Sequence, residues 1–148
     1  MKYRVMRLLA GCLLLGLFLP EAEGSETKTF KSAQPVWAHG RAEEMNVSLG
    51  FRAVVELTDM QSATSLHVAA STIYRAWING RLAAHGPARG PHGFYRMDTI
   101  NVSKHLVPGK NVIAIEVAGY NANSYYVLDQ PSFLQAELIQ GAATLAST

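Results

Sequence analysis

Cysteine is all but missing from this chain. Cys12 is the only one among 148 residues, so no disulfide within the chain can contribute to its stability, even in an oxidising compartment. A surplus of one charge is missing as well: from Ser25 onward, 10 Lys and Arg stand against 9 Asp and Glu. A nearly neutral surface without clustered basic residues offers nothing to a nucleic acid or an anionic membrane, so no nucleic-acid partner is expected. The chain also lacks an apolar run of the roughly 20 residues that cross a bilayer, because the one from Leu8 to Leu19 stops at Pro20-Glu21. No membrane span is expected. Between Ser25 and Ile139 helical periodicity never extends over about ten residues. The five histidines, His39, His67, His85, His92 and His105, are scattered without metal-ligand spacing, and no glycine-flanked serine marks a nucleophile. Neither a metal nor another cofactor is expected.

What is present begins with an export signal over residues 1–24. Lys2, Arg4 and Arg7 form a charged start, Leu8 to Leu19 an apolar core, and Ala22-Glu23-Gly24 a small-x-small site before Ser25, which are the three parts of a secretory leader. The protein is therefore expected to be secreted or periplasmic. Leu9-Ala10-Gly11-Cys12 also fits a bacterial lipoprotein box, but cleavage there would leave Leu13 to Leu19 as an exposed apolar tail. Cys12 is accordingly read as one more residue of the leader. The remaining 124 residues suit one domain with one core. They divide into a flexible, polar lead-in over residues 25–34, a folded domain over 35–140, and a small, weakly polar tail over 141–148. The tail reads as frayed, or as the start of a connection.

The domain reads as strand after strand. From Met45 to Leu57 every second residue is apolar, a period of two that puts one side of the ribbon in a core, with Gly50 marking a bulge or bend. Leu66, Val68 and Ala70 repeat the pattern. Asn79-Gly80 lies between two apolar-rich runs and demands a type I′ hairpin, whose two central positions both need positive φ. The hairpin strands carry apolar groups on both faces, Trp77 and Leu82 on one and Ala76, Ile78 and Ala83 on the other. They are expected inside the architecture, with Trp37 and Trp77 in its core. Ser103 stands where it could cap a single helical turn before Pro108-Gly109. Val112 to Val117 reads as a strand covered on both faces. Tyr125 to Leu128 and Ser132 to Ile139, separated by Asp129-Gln130-Pro131, complete an all-β fold, an antiparallel β-sandwich.

At this level of detail the sequence resembles a known family. Pro35 to Asn46, Asn79-Gly80, the run Gly86-Pro-Ala-Arg-Gly-Pro-His-Gly-Phe-Tyr95, the run Leu106-Val-Pro-Gly-Lys-Asn-Val-Ile-Ala-Ile-Glu-Val117, Gly119-Tyr-Asn121 and Ser124-Tyr-Tyr126 together look like the N-terminal β-sandwich region of bacterial α-L-rhamnosidase-type glycoside hydrolases. The resemblance implies a jelly roll of the galactose-binding type. It also implies a partner: in those enzymes the catalytic carboxylates lie on a helical toroid downstream, a segment with no counterpart here. The function it implies is that of a secreted accessory domain, non-catalytic alone, which supports or docks that missing catalytic domain and touches plant or bacterial glycans. Two alternatives stay open, the N-terminal fragment of an active α-L-rhamnosidase and a stand-alone lectin-like module.

The residues can be weighed for both chemistries. Glycoside hydrolysis needs two carboxyl groups about 5 to 10 Å apart. Of Asp98, Glu116, Asp129 and Glu137, the two glutamates read as solvent-facing strand charges and the two aspartates as turn residues accepting backbone hydrogen bonds, so no catalytic residue is assigned. A pyranose offers an apolar C–H face and a ring of hydroxyls, which an aromatic plate beside amide or guanidinium groups can meet. Tyr95, Tyr120, Tyr125 and Tyr126 lie near Arg89, His92, Asn121 and Asn123 in two loops able to join at one rim. They form a carbohydrate-binding or interdomain surface on one reading, and merely pack the end of the sandwich on the other.

Overall fold

The computed structural model describes residues 29–125, 127 and 129–148. The residues expected to form the leader, Cys12 among them, and Tyr126 and Leu128 lie outside the described residues. The period-two run becomes β1, Val47–Leu57, with Val47, Val55 and Leu57 buried while Ser48, Arg52 and Glu56 face water. After it come β2 (Thr64–Ser71), β3 (Ile73–Ile78), β4 (Arg81–Gly86), β5 (Asp98–Asn101), β6 (Gly109–Gly119), β7 (Phe133–Gln140) and β8 (Ala143–Ser147), with a 3-10 turn at Ser103–His105 before β6. They hydrogen-bond into two four-stranded sheets, ordered β1-β6-β3-β4 and β5-β2-β7-β8, and every pairing is antiparallel.

The inward faces share one core. Val55, Ile113, Ile115 and Val117 of the first sheet meet Leu66, Val68, Leu134 and Leu138 of the second, and two sheets over a common apolar layer make a β-sandwich. Each fully buried Leu, Ile or Val adds about 1.5–3 kcal/mol, so this layer, and not any surface ion pair, holds the fold. The chain crosses between sheets in one residue: β2 ends at Ser71, β3 starts at Ile73, and the Thr72 N–H donates to the Ala118 carbonyl at 3.1 Å.

One end of the sandwich is sealed by amides. Asn79 and Gly80 take φ values of 51° and 77°, with Ile78 paired to Arg81 across the turn, as the hairpin signal required. The Asn79 side chain then does more than turn the chain: its Oδ1 accepts from the Val112 N–H at 2.9 Å, and its Nδ2 donates to Asn111 Oδ1 at 2.8 Å and to the His105 carbonyl at 3.0 Å. Asn111, buried, donates to the carbonyls of Val107 (2.7 Å) and Gly109 (2.9 Å) and accepts from the Val107 N–H (2.8 Å). Gln140 Nε2 ties the Asp59 carbonyl to Thr64 Oγ1.

Several local expectations are corrected. Gly50 stays in continuous register opposite Glu116, and no bulge forms there. β3 is interior, but β4 is an edge strand; Trp77 is half-buried on the outward face while Tyr74, Ala76 and Ile78 point into the core. Trp37 does pack against the core, tilted on Phe51 with ring centroids 6.0 Å apart. β6 is covered on one face only, with Glu116 exposed. Ser103 caps nothing: its N–H is taken by Asn101 Oδ1, and its hydroxyl bonds Thr64 across the chain. The described residues of 125–128 form bends and no strand.

The two termini of the domain are corrected as well. Residues 141–148 are not a frayed tail, since Gly141, at φ 56°, turns the chain back so that β8 pairs with β7. Residues 31–34 of the lead-in are not loose. Ala33 is buried, Gln34 and Thr148 bond each other through N–H and carbonyl at 2.9 Å, and Val36 pairs with Leu134. Strand edges left open by β7 supplied the hydrogen-bond partners that make these flanks order.

Candidate functional site

The end of the sandwich opposite the amide seal is built from two loops, 87–97 between β4 and β5 and 120–132 between β6 and β7. The first of these is rich in glycine and proline, and contacts through side chains and carbonyls tie the two loops together. Arg89 Nη2 donates to the Tyr125 carbonyl at 3.0 Å, and His92 Nε2 lies 3.4 Å from the Asp129 carbonyl. Tyr95 stands edge-on to Phe133, with centroids 4.6 Å apart and planes at 87°. Tyr120 is anchored through its backbone, its N–H donating to Thr72 Oγ1 and its carbonyl accepting from the Asn46 N–H, both at 3.1 Å.

These contacts enclose a cleft of about 270 Å³ lined by Ile73, Arg89, Phe94, Tyr95, Arg96, Tyr120 and Gln130, among others. The aromatic rim is exposed, with Phe94 73% and Tyr125 87% accessible and Tyr95 and Tyr120 also at the surface. Of the residues expected at a carbohydrate or interdomain surface, the structure brings Arg89, Tyr95 and Tyr120 into one cleft. His92 and Tyr125 brace it from outside through the carbonyl contacts. Asn123 is exposed away from the lining. Asn121 is buried at φ 39°, in the left-handed region, with Oδ1 lacking a hydrogen-bond partner. Gln130 and Arg96 were not anticipated; Arg96 could have been found as a cation directly following Tyr95, whereas nothing local marks Gln130. Gln130 Oε1 and Ser132 Oγ are also buried without partners, so three unsatisfied polar atoms sit along this one segment.

The carboxylates are arranged quite differently from the solvent-facing expectation. Glu137 is 1% exposed and accepts from the N–H groups of Lys31 and Ser32 at 3.0 and 3.1 Å and of Ala33 at 3.3 Å, with His67 Nδ1 at 3.3 Å. Burial alone would push this carboxyl up, but the backbone N–H groups and the His67 ring outweigh it and hold it below its ordinary value. Glu137 alternates with Leu134, Ala136 and Leu138, which face the core, so it lies on the outer face of β7, where the lead-in segment covers it and supplies its donors. Asp98 serves side chains rather than backbone: Tyr74 donates its hydroxyl to Oδ2 at 2.7 Å and Arg96 its Nε–H to Oδ1 at 3.3 Å. Burial, then the bond to Asp98, pushes the Tyr74 hydroxyl above its ordinary range, keeping it a proton donor. Glu116 and Asp129 are exposed. Among the described residues no three His, Cys, Asp or Glu side chains gather as a metal-holding group.

Neither a protein-family model nor a curated protein matches the chain. Solved structures do. The GH78 family rhamnosidase of Bacillus sp. GL1 superposes with a TM-score of 0.73 at 26% identity, over 78% of this chain and 12% of that one. The Streptomyces avermitilis α-L-rhamnosidase, complexed with L-rhamnose, gives 0.57 at 18% identity over 76% and 10%, and that of Dictyoglumus thermophilum 0.53 at 18% over 68% and 12%. The resemblance read from the sequence is thus met in the fold: this chain spans about a tenth of the length of the rhamnosidases it matches, and its two-sheet domain is built like a part of them.

Proposed function

We propose that the chain is a secreted accessory domain of an α-L-rhamnosidase-like glycoside hydrolase, a galactose-binding-type jelly roll that is non-catalytic alone and seats its two-loop end against a catalytic domain. The observation that carries this reading is the contrast within one small fold between a sealed end and an end with exposed Phe94, Tyr95, Tyr120 and Tyr125 above unsatisfied buried polar atoms. Clustered exposed aromatics mark interaction surfaces, and unsatisfied polar groups are costly unless a partner or water completes them. The carboxylates support the non-catalytic half: Glu137 is saturated by backbone donors, and Asp98 is tied to Tyr74 and Arg96.

The fragment reading, in which a longer product cleaves terminal rhamnosyl groups, draws on the small share of each rhamnosidase that the chain covers. The test is direct. The purified chain incubated with an aryl α-L-rhamnoside is expected to release no rhamnose, and to form a stable complex in sedimentation with a rhamnosidase lacking its matching segment. Rhamnose release abolished by replacing one acidic residue of this chain overturns the non-catalytic reading, and no complex overturns the docking role.

A further inference from the structure

We infer that a second, polar cleft on the flank of the sandwich, between β4 and β5, holds the vicinal diol of a neutral saccharide through Asp98 and Arg96. β4 and β5 are edge strands of the two sheets, and no described strand bridges them. The gap is a cleft of about 460 Å³ lined by Tyr74, His85, Arg96, Met97, Asp98 and Ile100, within the size range of small-molecule sites, about 300–1,000 Å³.

The chemistry of the cleft selects its occupant. An ionised carboxylate has about four lone-pair positions, and Asp98 spends one on each oxygen, to Tyr74 and to Arg96. Its side chain remains 20% exposed, so the carboxylate keeps acceptor capacity toward the cleft for the hydroxyls of a ligand. Arg96, with 60% of its side chain exposed, brings the complementary N–H donors for a hydroxyl or ring oxygen. Met97 and Ile100 offer apolar contact to C–H groups. A phosphate or carboxylate would meet the Asp98 charge, and a metal ion would meet the Arg96 guanidinium, which leaves a neutral hydroxylated ligand.

The pair is also held in place by the fold. A Cβ at Gly86 would lie 2.5 Å from Asp98 Oδ2 and 3.1 Å from the Tyr74 hydroxyl, so β4 runs against the pair as closely as glycine allows. The buried Tyr74 hydroxyl fixes the carboxylate from below and acts as a positioning residue. Arg96 lines the aromatic cleft too, so the two clefts share a wall. The inference rests on the rhamnosidase reading only for the choice of sugar, since a diol site here does not require docking at the loop end.

The test is titration of the full chain with methyl α-L-rhamnoside, followed by amide NMR shifts. Saturable shifts are expected at residues 84–86 and 96–100. Asp98→Asn should weaken binding about tenfold or more, the scale of a lost hydrogen bond to a charged group. Arg96→Ala, which leaves the Tyr74–Asp98 bond intact, should weaken it severalfold, and Val54→Ser, exposed on β1 at the opposite edge of the sheet from β4, should leave it within about twofold. The acetonide of the same rhamnoside, its diol blocked, should give no shift. Shifts confined to Tyr95 and Tyr120, equal binding of the acetonide, or affinity unchanged by both Asp98→Asn and Arg96→Ala overturns the inference. Absence of sugar binding by a chain that still docks onto a rhamnosidase overturns it alone, while loss of docking with the diol site intact overturns only the accessory role.

Discussion

The two ends of this sandwich are made of similar material and finished in opposite ways. At the hairpin end, Asn79, Asn111 and Gln140 spend their amide groups on backbone carbonyls, N–H groups and each other. At the loop end, Asn121, Gln130 and Ser132 leave buried oxygens without partners, and Phe94 and Tyr125 stand in solvent. Amide side chains serve as closure in one place and as unfinished surface in the other. What differs is the backbone around them: short turns bring many N–H and C=O groups within reach, while two long loops hold them apart.

That contrast yields a graded set of expectations. Asn111→Ala removes a side chain that makes four hydrogen bonds at the sealed end and should cost about 3 kcal/mol, since several buried groups lose partners at once; urea unfolding measures it. A loss under about 1 kcal/mol would erase the distinction between the ends. Glu137→Gln, which weakens the hold on residues 31–33, should cost about 2 kcal/mol at neutral pH. The folded carboxyl lies below its ordinary value, so its contribution is complete above about pH 4.3, the value of the unfolded group, and is lost as pH falls through the lower folded value. Melting scans should therefore show the native chain losing stability in acid more steeply than the Gln variant.

Smaller effects are expected at the loop end. Ser132→Ala deletes a partnerless hydroxyl that lies over Gly119 where only a glycine fits and should leave stability unchanged or raise it by up to about 1 kcal/mol, as when an unsatisfied buried group is removed; a clear loss in thermal unfolding would show that the hydroxyl is satisfied in solution. Phe94→Ser should alter stability by less than about 0.5 kcal/mol and yet reduce self-association at high concentration, because it removes an exposed aromatic from the patch. Analytical ultracentrifugation of both proteins separates those outcomes.

How far the sequence reached depends on how local each cause was. The alternation from Val47 to Leu57 and the Asn79-Gly80 turn were legible because pleat and turn geometry act over a few residues. Arg89, Tyr95 and Tyr120 could be gathered by composition, and they share a cleft. Asn121 was misplaced because only its left-handed backbone, not its neighbours in sequence, sends it inward. The strand at Ala143–Ser147 escaped notice because small residues carry little periodic signal, and its order comes from β7, which offers it an edge.

Strand period, the hairpin and the all-β class were written in the sequence alone, since each follows from side-chain alternation or the φ preferences of single residues. Tertiary structure alone decided the fate of the charges. Glu137 lies in an alternating strand like any other, and only the docking of residues 31–33, more than a hundred positions away, turns an ordinary surface charge into a buried clasp. Asp98 meets Tyr74 only where two sheets leave their edges apart, because hydrogen-bond partners in a sandwich are set by which strands face each other and not by their distance along the chain.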